Sequence, residues 1–185
     1  MHSSVLEFLR RALPREEVSG AAVIEVGSRN VNGSPRQVVE PLKPAAYIGV
    51  DAVPGPGVDI VEDATKLHRL DLLSFGFDIV ISTEMLEHAF DWRSAVASMK
   101  RVTSRLGGLL VITTRSPGFP LHEFPADYWR FTLEDFERIF RDFEILMLER
   151  DTQQGHPGVF LKARKPVRWA EACLSEIVVE GVDHG

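Results

Sequence analysis

The sequence predicts an α/β domain: a doubly wound, mostly parallel sheet of seven strands that ends in an antiparallel hairpin, with helices on both faces. Three observations carry this. Short β-branched runs alternate with helical segments through most of the chain. The first run, Val23-Ile24-Glu25-Val26, ends at Gly27 and leads to Ser34-Pro35. A strand, a glycine turn and a helix start form the ligand-side crevice of an open α/β sheet. The last two runs are joined by residues 149–158, which hold Gly155 and Pro157 but no helical pattern, so they should pair as a hairpin.

Each element has its own warrant. Residues 4–13 read as an amphipathic helix with Val5, Leu6, Leu9, Ala12 and Leu13 on one face; Ser4 and Glu7 have capping-box spacing and Pro14 is a stop. This helix should pack on the sheet rather than act as a lid. Ser34 suits an N-cap and Pro35 the first helical position, while Pro41 and Pro44 cut that helix short. Ala46-Tyr47-Ile48-Gly49-Val50-Asp51 is a second strand ending in a carboxylate, and Val58-Asp59-Ile60-Val61 a third, followed by Glu62-Asp63-Ala64. Phe77 to Ile81 forms a fourth, opening into Ser82-Thr83-Glu84-Met85-Leu86-Glu87-His88. Asp91 caps a helix whose buried stripe is Trp92, Ala95, Val96, Met99 and Val102, with Lys100, Arg101 and Arg105 where the dipole favours positive charge. Gly107-Gly108 stop it before a fifth strand, Leu109 to Thr114.

Residues 115–131 form a long Pro/Gly/aromatic loop, the kind that carries function. Thr132 caps a helix bearing Leu133, Phe136, Ile139 and Phe140; strands near 143–148 and 159–162 complete the sheet, and a last helix is expected over 166–179. Residues 1–19 thus form an N-terminal helix, 20–164 the main domain, and 165–185 a helical tail.

Composition bounds the function. The chain has 185 residues, 44% hydrophobic and 26% charged, with a formal charge of -6, ordinary for one soluble domain and unlike a nucleic-acid binder with its basic face. Cys173 is the only cysteine, which excludes an internal disulfide and a CxxC metal site; it reads as a packing residue. No apolar run is long enough to span a bilayer and the N-terminus lacks a signal-peptide core, so a cytoplasmic protein without membrane insertion is expected.

Four stretches, in this order, resemble the class I S-adenosylmethionine-dependent methyltransferases over roughly residues 20–163. Ile24-Glu25-Val26-Gly27 is similar to the acidic-x-glycine turn of that family, and Gly49-Val50-Asp51 to its second-strand acid. Phe77 to Ser82 with Leu86-Glu87-His88 is similar to its fourth-strand segment, and Leu106 to Val111 to the glycine pair before its fifth strand. Arg29 and Val31 stand where the family usually has further glycines, and Gly33 arrives later, so the turn must take another path. The block 122–132, with Gly33-Ser34, resembles a bacterial subgroup of small methyltransferases associated with saccharide or lipid modification.

The resemblance implies a Rossmann-like fold, S-adenosylmethionine as cofactor and a small-molecule or glycan acceptor. It implies that Gly27 and Ser28 pass the methionine part of the cofactor, with Glu25 organising the turn or meeting the amino group. Asp51, with Ala52 beside it, would take the ribose hydroxyls, two hydrogen bonds a carboxylate accepts at once. Asp63 would meet the adenine amino group with Ala64 at the ring, and Ser82 and Thr83 would face the sulfonium.

Methyl transfer needs alignment and, for an oxygen acceptor, a base. His122 and His88 are the catalytic candidates. In a helix, Glu84, Glu87 and His88 would share a face and could hold a metal, but packing and hydrogen bonding is the favoured role, and no metal ligand is assigned. On the long loop, Tyr128 and Trp129 could stack on a sugar and Arg130 bind an anionic group; alternatively Trp129 and Phe131 pin the loop and Arg130 pairs with Asp127.

Competing readings are a non-catalytic cofactor-binding relative acting through a protein partner, and a nicotinamide-dependent oxidoreductase. The latter lacks G-x-G-x-x-G and a Tyr-x-x-x-Lys pair. A nucleic-acid methyltransferase lacks Asn-Pro-Pro-Tyr after the fourth strand. Oligomeric state is open, a homodimer being one option.

Overall fold

The computed structural model describes residues 2–70, 76–122 and 126–182. β1 (Ala22–Val26), β2 (Ala46–Asp51), β3 (Ile60–Val61), β4 (Ile79–Thr83) and β5 (Leu109–Arg115) run parallel. β6 (Trp129–Arg130) lies on the loop after β5, and β7 (Glu144–Arg150) and β8 (Gly158–Arg164) form the antiparallel hairpin. The seven-stranded order is β3-β2-β1-β4-β5-β8-β7, so β8 inserts between β5 and β7. β6 pairs instead with β9 (Glu180–Gly181) in a two-stranded sheet. The expected doubly wound sheet is thus present, and its order reverses between β1 and β4, where such sheets open a crevice.

Strand alternation divides the core between two faces. Val23, Ile79, Ile81, Val111 and Phe160 meet α1 (Ser3–Ala12), α2 (Arg15–Val18) and α3 (Arg36–Val39) through Val5, Phe8, Leu9, Val18 and Val39. Ile24, Val26, Val80, Leu110, Ile112 and Leu161 meet α4 (Trp92–Val102) and α5 (Leu133–Ile139) through Trp92, Val96, Met99, Phe136 and Ile139. In register, Glu25 lies beside Gly49 and Ile81, and Thr83 beside Thr113. The C-terminal ends of four strands therefore gather at one edge.

Several expectations need correction. Ser4 forms no capping box: helix α1 begins one residue earlier, and the Ser4 hydroxyl donates to Asp151 Oδ2 at 2.9 Å. The third strand is only two residues long. Helix α3 has four residues before a 3-10 turn, as the prolines require. Among the described residues, 166–179 contain no helix. Side-chain donors hold this segment: Arg93 donates to the carbonyls of Leu174 and Ile177 at 3.1 and 2.5 Å, and Arg141 to that of Cys173 at 3.1 Å. Ile177 and Val179 are buried in the core, and β9 continues the segment. Those contacts outweigh a weak helical pattern. Cys173 is exposed, 3.1 Å from Ser175 Oγ, and does not pack.

Two lysines also act differently from surface charges. Lys100 is fully buried on α4 and donates to the Ile139 carbonyl and Asp142 Oδ1, both at 2.6 Å. Lys165 donates to the carbonyls of Lys100 and Thr103 at 2.6 and 2.8 Å, capping the C-terminus of α4.

Phe8 tests whether α1 is core or lid. It is 0% exposed, with its ring 5.0 Å from that of Phe160. Phe8→Ala should cost about 3–5 kcal/mol in urea unfolding, the range for emptying a packed aromatic site. A loss under about 1 kcal/mol would mark α1 as a detachable cover.

Candidate active site

At the sheet reversal, Gly27 sits at φ 82°, and a Cβ there would lie 2.6 Å from Met85 Cγ. Both the backbone freedom and the close approach require glycine. The amides of Gly27 and Ser28 donate to the Val50 carbonyl at 2.9 and 3.1 Å. The chain then leans on the turn between β2 and β3: Asn30 N–H donates to the Pro56 carbonyl at 2.7 Å, and the Arg29 stem lies against Gly55. Within this stretch only Gly27 and Gly33 have positive φ. Arg29 and Val31 therefore replace glycines without strain, because the turn follows a different path.

Glu25, before that turn, is bonded to Ser34 after it. It is 2% exposed; the Tyr47 hydroxyl donates to it at 2.7 Å and the Ser34 hydroxyl at 3.4 Å. Burial pushes its carboxyl up to about 7, although Tyr47, Arg36 and Ser34 all favour the ionised form. Ser34 Oγ also accepts the Arg36 amide at 3.1 Å, starting α3.

The residues assigned to the cofactor line the strand ends. Asp51 accepts one amide on each oxygen, Arg29 N–H and Val53 N–H, both at 3.0 Å, which leaves further lone pairs on each. Ala52, next to it, is exposed. Asp63 Oδ1 accepts the amide and hydroxyl of Thr65 at 2.8 and 2.7 Å, bonds that hold its pKa below the usual range; Ala64 packs against the core. Ser82 and Thr83 are buried at the end of β4. The hydroxyls of Ser28 and Ser82 are buried without a hydrogen-bond partner. Buried polar groups are rarely left so. Two orphan hydroxyls, an acid with spare lone pairs and a glycine turn at the reversal fit a nucleoside cofactor with a polar tail.

Next along the edge is a cluster of buried charge. Glu84 has φ 54°, and only residues 86–88 form a 3-10 turn, so Glu84, Glu87 and His88 do not share a helical face. Adjacent β5 residues take the two acids separately. Thr113 Oγ1 donates to Glu84 Oε1 at 2.8 Å and Thr114 Oγ1 to Glu87 Oε2 at 2.7 Å. Arg115, fully buried, pairs with Glu84, with Asp151 Oδ2 at 3.3 Å, and with the Phe119 ring at 4.5 Å. Burial raises both Glu84 and Glu87, and Glu87's charge raises Glu84 further. Leu86 and Glu87 are both buried, in keeping with a packing and hydrogen-bonding segment.

The histidines meet here. His88 Nδ1 is 2.5 Å from the Ala126 carbonyl and His122 Nδ1 is 3.0 Å from Asp127 Oδ2, with ring centroids 4.8 Å apart. Burial and the neighbouring His88 lower the His122 pKa. Burial would raise Asp127, but two Arg130 bonds of 2.6 Å, with others, hold it near 2. Arg130 is 4% exposed and also donates to the Pro120 carbonyl at 3.2 Å, so it braces the loop and is not placed to bind an anionic substrate. Trp129 Nε1 donates to the Ala89 carbonyl at 2.9 Å and Phe131 is buried, pinning the loop as the second expectation had it. Tyr128 meets Phe90, which is 74% exposed, with centroids 5.4 Å apart. Residues 123–125 of the resembling block 122–132 lie outside the described residues.

Sequence reading missed Arg115, Asp151, Thr113 and Thr114. An arginine ending a buried strand beside a strand that leads into Glu84 was the available signal.

A methyltransferase-domain family profile matches residues 35–112. Among curated proteins, no sequence matches. Similar solved structures include a Burkholderia thailandensis 1,6-didemethyltoxoflavin-N1-methyltransferase with S-adenosylhomocysteine bound. It is 15% identical, with TM-score 0.68, over 89% of this chain and 79% of that one. An S-adenosylmethionine-dependent methyltransferase from Mesorhizobium loti is 17% identical, with TM-score 0.64, over 88% and 98%. The N-methyltransferase NodS from Bradyrhizobium japonicum, also with S-adenosylhomocysteine, is 13% identical, with TM-score 0.64, over 88% and 85%.

Glu25 gives a pH prediction. Its folded pKa near 7 lies above the ordinary 4.5, so its contribution to stability is full below about pH 4.5 and is lost as pH rises through 7. That difference corresponds to at most about 3 kcal/mol. Urea unfolding at pH 5 and pH 8 should show Glu25→Gln gaining on the native protein at the higher pH. An identical pH slope in both proteins would mean that the Glu25 carboxyl is ionised throughout.

Proposed function

We propose that this chain, a class I S-adenosylmethionine-dependent methyltransferase, methylates an oxygen of a small-molecule acceptor, a saccharide or a lipid-linked intermediate. The observation that carries the reading is the His122–Asp127 pair set against His88. Asp127 accepts from Nδ1–H of His122, which fixes the tautomer and leaves Nε2 as a proton acceptor. The Ala126 carbonyl does the same for His88. An amine acceptor is nucleophilic once neutral, whereas an alcohol of high pKa gains most from such a base.

Gly27, Ser28, Asp51, Asp63, Ala64, Ser82 and Thr83 would hold the cofactor, with Glu25 shaping the turn. The cofactor supplies a methyl group already activated by a sulfonium. The chain's part is alignment and exclusion of water, plus a proton moved from the acceptor hydroxyl to imidazole Nε2. Tyr128 and the exposed Phe90 offer an aromatic edge to a sugar ring.

Calorimetry tests the cofactor residues. S-adenosylmethionine and S-adenosylhomocysteine should bind and NADH should not. Asp51→Ala should weaken both by about 10- to 100-fold, the loss of one or two bonds to a charged acceptor. Binding unchanged by Asp51→Ala would remove that residue's role, and folded protein that binds neither sulfur ligand would end the proposal. Labelled methyl transfer confined to amines would overturn the oxygen assignment.

A further inference from the structure

We propose that Glu87, His88 and His122 bind a divalent first-row transition-metal ion, zinc or a neighbour, on the acceptor side of the site. The inference rests on the reading above of an oxygen acceptor beside these side chains, with the ion in place of the imidazoles as the group that activates the hydroxyl.

The three side chains bring one ligand atom each to within 4.8 Å of one another. Bonds of about 2.1 Å at a tetrahedral angle place ligands about 3.4 Å apart. Closure of about 1.4 Å is therefore enough to seat an ion.

Glu87 supplies the independent sign. It is fully buried, Thr114 occupies Oε2, and Oε1 has no partner. A buried carboxylate oxygen left bare is costly unless a cation or proton meets it.

The outer contacts point the same way. Metal-bound histidines nearly always give their second nitrogen to a carbonyl or carboxylate, which fixes the ring and the tautomer. His88 has the Ala126 carbonyl and His122 has Asp127, itself held by two Arg130 bonds. Nε2 is left on each ring. Two imidazoles and one carboxylate suit zinc, cobalt, nickel, iron or manganese over magnesium and calcium, which favour all-oxygen sets. Three protein ligands leave positions open, so an acceptor hydroxyl bound there would give up its proton to solvent water more readily.

The sequence pattern hid this set. Glu84, Glu87 and His88 looked like the candidate group, but Glu84 is taken by Thr113 and Arg115, and His122 comes from a distant loop.

Untagged full-length protein is titrated with cobalt(II) and followed by visible absorption, with zinc as competitor. One equivalent should bind, with ligand-field bands of a nitrogen- and oxygen-coordinated ion. His122→Ala should weaken binding at least about 10-fold, the lower end for losing one contributor to a site. His2 and His156, whose rings lie 4.2 Å apart, offer the ion a second place among the described residues. Substituting both with alanine should leave the bands intact. S-adenosylhomocysteine binding should be the same in His122→Ala and native protein, which separates this proposal from the cofactor reading. Absence of bands, bands lost only with His2 and His156, or displacement of cobalt by equimolar magnesium would overturn it.

Discussion

The edge where β4 and β5 end buries more negative than positive charge, and much of the site follows from that imbalance. Glu84, Glu87, Asp127 and Asp151 converge there, against the guanidiniums of Arg115 and Arg130. Removing an ion from water costs several kcal/mol even after relaxation, so each acid must find a donor or a cation. Arg115 serves Glu84 and Asp151, and Arg130 takes Asp127 with both of its terminal nitrogens. Glu87 is left with one threonine bond and an oxygen that nothing meets. Burial raises the pKa of Glu84 and Glu87, and the charge of Glu87 raises Glu84 further, so a proton or a cation balances that surplus.

The same need for partners sets the loop's conformation. Asp127 binds Arg130, the His122 amide and the His122 ring, so one carboxylate joins a structural brace to a chemical group. Trp129 and Phe131 anchor the segment on either side of Arg130. Glu84 holds left-handed backbone at the exit of β4, a conformation costing a non-glycine residue about 1 kcal/mol or more. Strain of that kind collects where a site fixes a chain against its preference. Here it places Glu84 on Thr113 and Arg115 and leaves Glu87 on Thr114.

Much of the frame was legible because local signals and global architecture agree. The β-branched runs, the Gly27 turn, the Asp91 and Thr132 caps and the apolar stripe of α4 all point to one sheet, and each is realised. What could not be read depends on contacts distant in sequence. The 166–179 segment loses its helix to the Arg93 bonds and to burial of Ile177 and Val179 in the core. The helical spacing of Glu84, Glu87 and His88 breaks at the left-handed Glu84 and at a 3-10 turn confined to residues 86–88. Anion binding and pairing with Asp127 were both open for Arg130, because the burial that decides for the pair is not written in the sequence. The histidine pair was nominated one residue at a time, and only the fold brings the rings together.

The most direct measurement is a crystal structure of the protein with S-adenosylhomocysteine. The ribose hydroxyls should lie on Asp51 and the ligand's sulfur between the Gly27 turn and Ser82, on the side of the edge that leads to His88 and His122. A ligand bound away from the β1–β4 reversal, or one whose sulfur is walled off from the histidine pair, would contradict that placement.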